Sequence, residues 1–166
     1  TCTVDALPMY TARKNIDLFV KHGIYTEGEI NARAEIHIEN YTTVLSIEAK
    51  TMVSMIRHEI LPAVSSYSGA LCTRAAEKKS LGISCGFETS TAAQISDLAD
   101  QLSDICGKLE RDIAATPAEA TAAMVYSHDV LTPDMQEARR IADQLETLTA
   151  KDYWPFPVYS DLLFSV

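Results

Sequence analysis

The chain has little punctuation. Six glycines and six prolines in 166 residues leave few places for tight turns, and that scarcity favours long helices. Long alternating runs of Val, Ile, Thr and aromatic residues are missing, so a sheet is hard to place. No run of about 18 apolar residues occurs, which excludes a transmembrane helix. Positive charge is in deficit: Lys+Arg is 14 and Asp+Glu is 23, a net charge of −9. A broad nucleic-acid or anionic-membrane surface needs the opposite balance. The first ten residues, TCTVDALPMY, lack a basic stretch followed by an apolar one, so no secretory signal is expected. Cys2, Cys72, Cys85 and Cys106 form no C-x-x-C pair. They read as reduced, small hydrophobic residues of a cytoplasmic protein.

What is present is helical periodicity. Residues 1–10 read as an incoming segment, followed by a helix over about 12–22 capped by Thr11, with Gly23 as its C-terminal stop. Thr26 and Glu29 form a capping box. From there one stripe runs through Ala34, Ile38, Tyr41, Leu45, Ala49, Met52, Ile56, Ile60, Ala63, Tyr67 and Ala70 in steps of three or four. The spacing predicts one helix over about 27–79, on the order of 80 Å long. Pro62 lacks an N–H and crowds the carbonyl of His58, so a kink is expected there with the stripe in phase across it.

Residues 78–88 carry two glycines and read as a loop. A helix over 89–115 follows, with Ile95, Leu98, Leu102, Ile105, Leu109 and Ile113 close to a coiled-coil seam. Thr116-Pro117-Ala118-Glu119 predicts a helix over 117–128 capped by Thr116, and Thr132-Pro133-Asp134 predicts another over 133–150. The tail, 151–166, cannot be helical through Pro155 and Pro157. The fold class is therefore all-α: an elongated helical bundle on one long kinked helix, with shorter helices packed back on it and an extended aromatic tail, all in a single domain.

Candidate chemistry is thin. Glu35, His37 and Glu39 do not share one helix face, and no Glu-x-x-His spacing exists for a bundle-core metal site. His58-Glu59 lacks the lysine and glycine of a phosphotransfer helix. Asp97, Asp100 and Asp104 read as a wetted outer face, and neither a phosphate-cradling loop nor a G-x-S-x-G elbow is present. No residue is assigned a catalytic, cofactor-binding or metal-binding role. The candidate packing or interaction residues are Tyr153, Trp154, Pro155, Phe156, Tyr159, Leu162, Leu163 and Phe164. They form either a strap over the bundle's own apolar edge or an arm that docks onto another domain or subunit.

Several motifs resemble type III glutamine synthetases. These are Leu7-Pro8, Lys14-Asn15, Leu18-Phe19, the turn from Gly23 to Glu29, Ile47-Glu48-Ala49 with Thr51-Met52, and Ile60-Leu61-Pro62-Ala63. The most specific is the tail from Lys151 to Phe164, where Val158 and Ser160 stand in place of an expected Thr and Gly. The resemblance is to the C-terminal helical domain that follows the catalytic domain. It implies a cytoplasmic homo-oligomer, in that family a double-ringed dodecamer, that joins glutamate and ammonia with ATP and Mg²⁺ or Mn²⁺. The expected partners are the enzyme's own catalytic domain and neighbouring subunits, with neither nucleic acid nor membrane. The chain alone is expected to be inactive, to hold no cofactor, and to serve packing or regulation. The alternative is an independent helical-bundle interaction or sensor module. The long stripe also predicts that the isolated chain self-associates.

Overall fold

A computed structural model describes residues 2–157 and 159–164, without the side chains of 159, 160 and 164. Its helices are α1 (Thr3–Tyr10), α2 (Arg13–Lys21), α3 (Glu27–Met55), α4 (Leu61–Ser80), α5 (Gly86–Ala114), α6 (Ala120–Tyr126), α7 (Thr132–Leu148) and α8 (Tyr159–Phe164). No strand occurs among the described residues. The chain divides into two compact units, one of Thr1–Lys50 with Arg111–Pro133, the other of Thr51–Glu110 with Asp134–Val166.

The first unit starts with a helix where an incoming segment was expected. Asp5 explains it: its carboxylate accepts from the Cys2 N–H at 3.2 Å and from the Cys2 thiol at 3.4 Å, closing the first turn of α1. α2 begins after Ala12, not under a Thr11 cap, because the Thr11 hydroxyl donates to the Pro8 carbonyl. Gly23 ends α2 at φ 64°, where the Ile24 N–H reaches the Phe19 carbonyl and the Gly23 N–H that of Val20. This is the left-handed stop that glycine adopts without Cβ strain. The Thr26–Glu29 box forms as expected: Glu29 accepts from the Thr26 N–H at 2.7 Å, and its own N–H donates to the Thr26 hydroxyl at 3.3 Å. Ile16, Ile30, Ala34, Ala49, Ala123, Met124, Ser127 and Leu131 are the buried residues of this unit.

The second unit holds the larger core. Ile56, Ile60, Val64, Tyr67 and Leu71 from the long helical run pack against Ala92, Ile95, Leu102 and Cys106 of α5, and against Ala138, Ile141, Ala142 and Leu145 of α7. Cys106, wholly buried, behaves as the small hydrophobe expected of it. α4 ends on Gly82 at φ 71° with the same pair of bonds as α2, from Ile83 to Lys78 and from Gly82 to Lys79.

Proline does not stop the helices. Ile56–Ile60 forms one π-helical turn, in which the Leu61 N–H reaches back to the Ile56 carbonyl, and α4 continues directly from it. Pro62 stands two residues beyond. The wider turn accommodates the missing N–H and draws the crowded carbonyl away from the ring. It also carries one residue more than an α turn. Downstream, Tyr67 of the expected stripe is buried as read, while Val64 and Leu71 reach the core in place of Ala63 and Ala70, which are only half-buried. The expected stripe is corrected at those two positions, each by one residue.

The same device recurs. Ser127–Leu131 is a second π turn, the Thr132 N–H donating to the Ser127 carbonyl, with Pro133 again two residues beyond. α6 therefore runs into α7 without a break. Thr132 has helical angles and is no N-cap; its hydroxyl donates to the Ser127 carbonyl at 3.1 Å. The start of α6 is also corrected. Thr116 spends its hydroxyl on the Ile113 carbonyl, and the cap is Glu119, whose carboxylate accepts from Thr121 at 2.9 Å and Ala122 at 2.6 Å.

Those two backbone N–H donors hold the Glu119 carboxyl below its ordinary value of 4.5. A carboxylate lowered in the folded state stabilises the fold fully above the unfolded value and loses that contribution as pH falls through the folded value. Glu119→Gln keeps an acceptor but no titration. Its urea midpoint is expected to be lower than wild type at pH 7, and the gap should close as pH drops below about 4.5. A gap that stays constant from pH 7 to pH 3 would contradict the assignment.

Gly69 lies exposed inside α4, and a Cβ built there meets nothing within 4 Å. Gly69→Ala is expected to raise stability by up to about 1 kcal/mol, chiefly by restricting the unfolded chain. A urea titration followed by helical circular dichroism measures it, and an unchanged or lower midpoint would refute the open-space reading.

Candidate docking surfaces

The aromatic tail folds back on its own unit. Backbone bonds from Tyr153 and Trp154 to the Ala150 carbonyl wind residues 150–154 into a turn. That turn sets the Tyr153 ring 5.1 Å from the Tyr67 ring, and Trp154 meets Phe156 edge-on at 6.3 Å. Tyr153, Trp154 and Phe156 are partly buried against the second unit's core, while Pro155 is exposed. α8 follows, so the expected extended tail is corrected to a turn at 150–154 and a short helix; Lys151 ties to Asp161 at 2.5 Å. Leu162 and Leu163 stay 66% and 58% exposed. The side chains of Tyr159 and Phe164, with those of Val158 and Ser160, lie outside the described residues.

Two carboxylates of this unit are buried and each faces a lysine. Glu88 pairs with Lys78, and that ammonium lowers its pKa. Asp134 pairs with Lys108 at 2.5 Å. Arg57 and Glu110 make a two-pronged bond at 2.7 and 2.5 Å. These pairs tie helices together and converge on no cleft.

The first unit carries a ladder of rings: Tyr10 lies 6.4 Å from Phe19 and 5.8 Å from His37, Phe19 lies 5.7 Å from Tyr25, and Arg33 sits 4.6 Å above Tyr25. Beside it, α1 and α3 border a cleft of about 400 Å³. Thr3 and Leu7 form one wall; His37, Asn40, Tyr41, Val44, Leu45 and Glu48 form the other. Burial, then the acidic groups of Cys2 and Asp129, push the Tyr41 phenol above its usual range. Periodicity alone hid this cleft, because α1 was read as an incoming segment and so gave α3 no neighbour there.

The remaining sequence candidates are dispersed. Glu35, His37, Glu39, His58, Glu59, Asp97, Asp100 and Asp104 are all solvent-exposed. Among the described residues no three His, Cys, Asp or Glu side chains could hold a metal ion together. The described residues therefore bring together no donor set for a divalent metal.

Residues 1–79 match the family model described as "Glutamine synthetase C-terminal domain". Over 98% of its length the chain is 33% identical to a glutamine synthetase of Butyrivibrio fibrisolvens, of which it covers 24%. It is 27% identical over 98% of its length to a type-3 glutamine synthetase of Dictyostelium discoideum, covering 23% of it. The chain is similar to glutamine synthetases along nearly its whole length, and its first 79 residues to their C-terminal domain. A glutamine synthetase of Bacteroides fragilis is similar to the same extent, 26% identical over 97% of the chain. The chain spans about a quarter of the length of these relatives. The family model ends within α4, so the glutamine synthetase match takes in α1, α2, α3, the first π turn and the proline after it. Among the described residues no helix is long and apolar enough to cross a membrane.

Proposed function

We propose that these 166 residues are the non-catalytic C-terminal domain of a type III glutamine synthetase, and that they support packing of the catalytic domain and of neighbouring subunits. The whole enzyme, a cytoplasmic homo-oligomer, would join ammonia to glutamate with ATP and a divalent metal ion. The observation that carries this reading is similarity along 98% of the chain to about a quarter of a glutamine synthetase. The dispersed carboxylates and histidines support the non-catalytic part, because ligation needs acid groups converging on metal and nucleotide.

The test compares the gene's whole product with the 166-residue chain, each assayed for glutamine formation with ATP, Mg²⁺, glutamate and ammonia. Activity in the whole product and none in the chain is expected. Glutamine formed by the chain alone, or a whole product without synthetase activity, would overturn the proposal. A regulatory role would show as a whole product whose kcat or KM changes when the chain is removed while its size in ultracentrifugation stays the same.

A further inference from the structure

The first unit exposes what the tail conceals. Ile36 is 61% exposed and Ile47 58%. They stand eleven residues apart on α3, about three turns, and so lie on one line of the helix. Val44, 42% exposed, links that line to the cleft, which Leu7, Tyr41 and Leu45 also line. Asn40 and Thr43 stand between the two isoleucines on that line, so the face presents separate aliphatic points beside a groove, a pattern that the spaced apolar anchors of a docked segment fill.

We propose that this α3 face and the cleft beside α1 form the docking surface for the part of the glutamine synthetase polypeptide outside these residues, and that the docking element is an apolar segment bringing a cation to Glu48. The proposal rests on the glutamine synthetase reading above and adds the surface and the chemistry of what it takes. Two observations choose the occupant. The relatives are about four times as long as this chain, so most of such a polypeptide is tethered nearby at high effective concentration. Charge then selects the segment. Glu48 is the only carboxylate on the cleft's walls, no Lys or Arg lines them, and Glu48 has no ion pair among the described residues. In a chain of net charge −9, a second copy would bring mostly like charge to it. The aromatic tail is the weaker candidate, because its Tyr153, Trp154 and Phe156 already pack on their own core.

The experiment places Val44→Asp with Ile47→Asp, and separately Glu48→Lys, in the gene's whole product and in the 166-residue chain. Leu81→Asp with Phe87→Asp, at the exposed α4–α5 turn, serves as the control pair. In the whole product, the Val44/Ile47 pair and the Glu48 change are each expected to raise the unfolded or dissociated fraction at least tenfold at the wild-type thermal midpoint, and the Glu48 effect should shrink in high salt. In the 166-residue chain the same changes should leave the midpoint in place. An unaffected whole product would overturn the inference, and so would an equal loss in the short chain, which would assign these side chains to its own packing. If the control pair alone weakens an active whole product, this surface is wrong and the glutamine synthetase reading stands. A whole product without synthetase activity ends that reading separately.

Discussion

A Leu102→Ala chain is expected to lose about 2–5 kcal/mol of folding free energy, from the transfer of the deleted methyls and from the cavity they leave. Leu102 has no solvent exposure and sits on α5 between the equally buried Ile95 and Leu109. Its core is supplied by three helical segments, the long run, α5 and α7, so collapse around the deletion would require all three to shift. Against a total stability of about 5–15 kcal/mol, that loss removes much of the margin. For a chain of this size it lowers the thermal midpoint by about 2–4 °C per kcal/mol. Urea unfolding of wild type, Leu102→Ala and the exposed control Leu81→Ala measures it. The control, 74% exposed, should move by less than about 0.5 kcal/mol. A Leu102→Ala loss below about 1 kcal/mol would mean the α5 seam does not face the core.

That seam was legible because α5 is regular. Ile95, Leu102 and Leu109 repeat every seven residues, and all three are fully buried. The Thr26–Glu29 box and the Gly23 stop were legible because each depends on residues three or four apart. What stayed hidden depends on geometry that the periodic pattern does not encode. Thr116-Pro117 looked like a helix start, but the Thr116 hydroxyl is held by the end of α5, and the next available acceptor, Glu119, caps α6. Thr132-Pro133 looked like a second start, yet a π turn absorbs the proline and the helix runs through. The same turn before Pro62 added a residue, and Val64 and Leu71 replace Ala63 and Ala70 in the core while Tyr67 of the expected stripe stays buried. At Pro133 the expected helix start is corrected to a continuous run, and at Pro62 the helix continues as expected. At Pro62 and Pro133 the turn before the proline widens, whereas Pro8 sits inside α1 without one. At the second of these turns Ser127 stands at the head, fully buried, and among the described residues its hydroxyl has no partner.

The candidate surface was legible only in part: the tail was named, the cleft between α1 and α3 was not. Sequence left strap and docking arm open for Tyr153, Trp154 and Phe156, and Trp154→Ala separates them. If the indole seals the second unit's core beside Phe156 and the Tyr153–Tyr67 pair, its removal should cost the 166-residue chain about 2 kcal/mol. That is less than the 3–5 kcal/mol of a fully buried tryptophan because the ring is only partly covered. An arm awaiting a partner would lose next to nothing in the isolated chain, since its ring would meet water before and after truncation. Trp154 is the only tryptophan, so unfolding must be followed by circular dichroism. Leu162→Ala on α8, 66% exposed in wild type, should move the midpoint by less than about 0.5 kcal/mol. A Trp154→Ala chain as stable as wild type would assign the tail to the docking role, whereas a loss of the expected size makes the strap part of the second unit's own core.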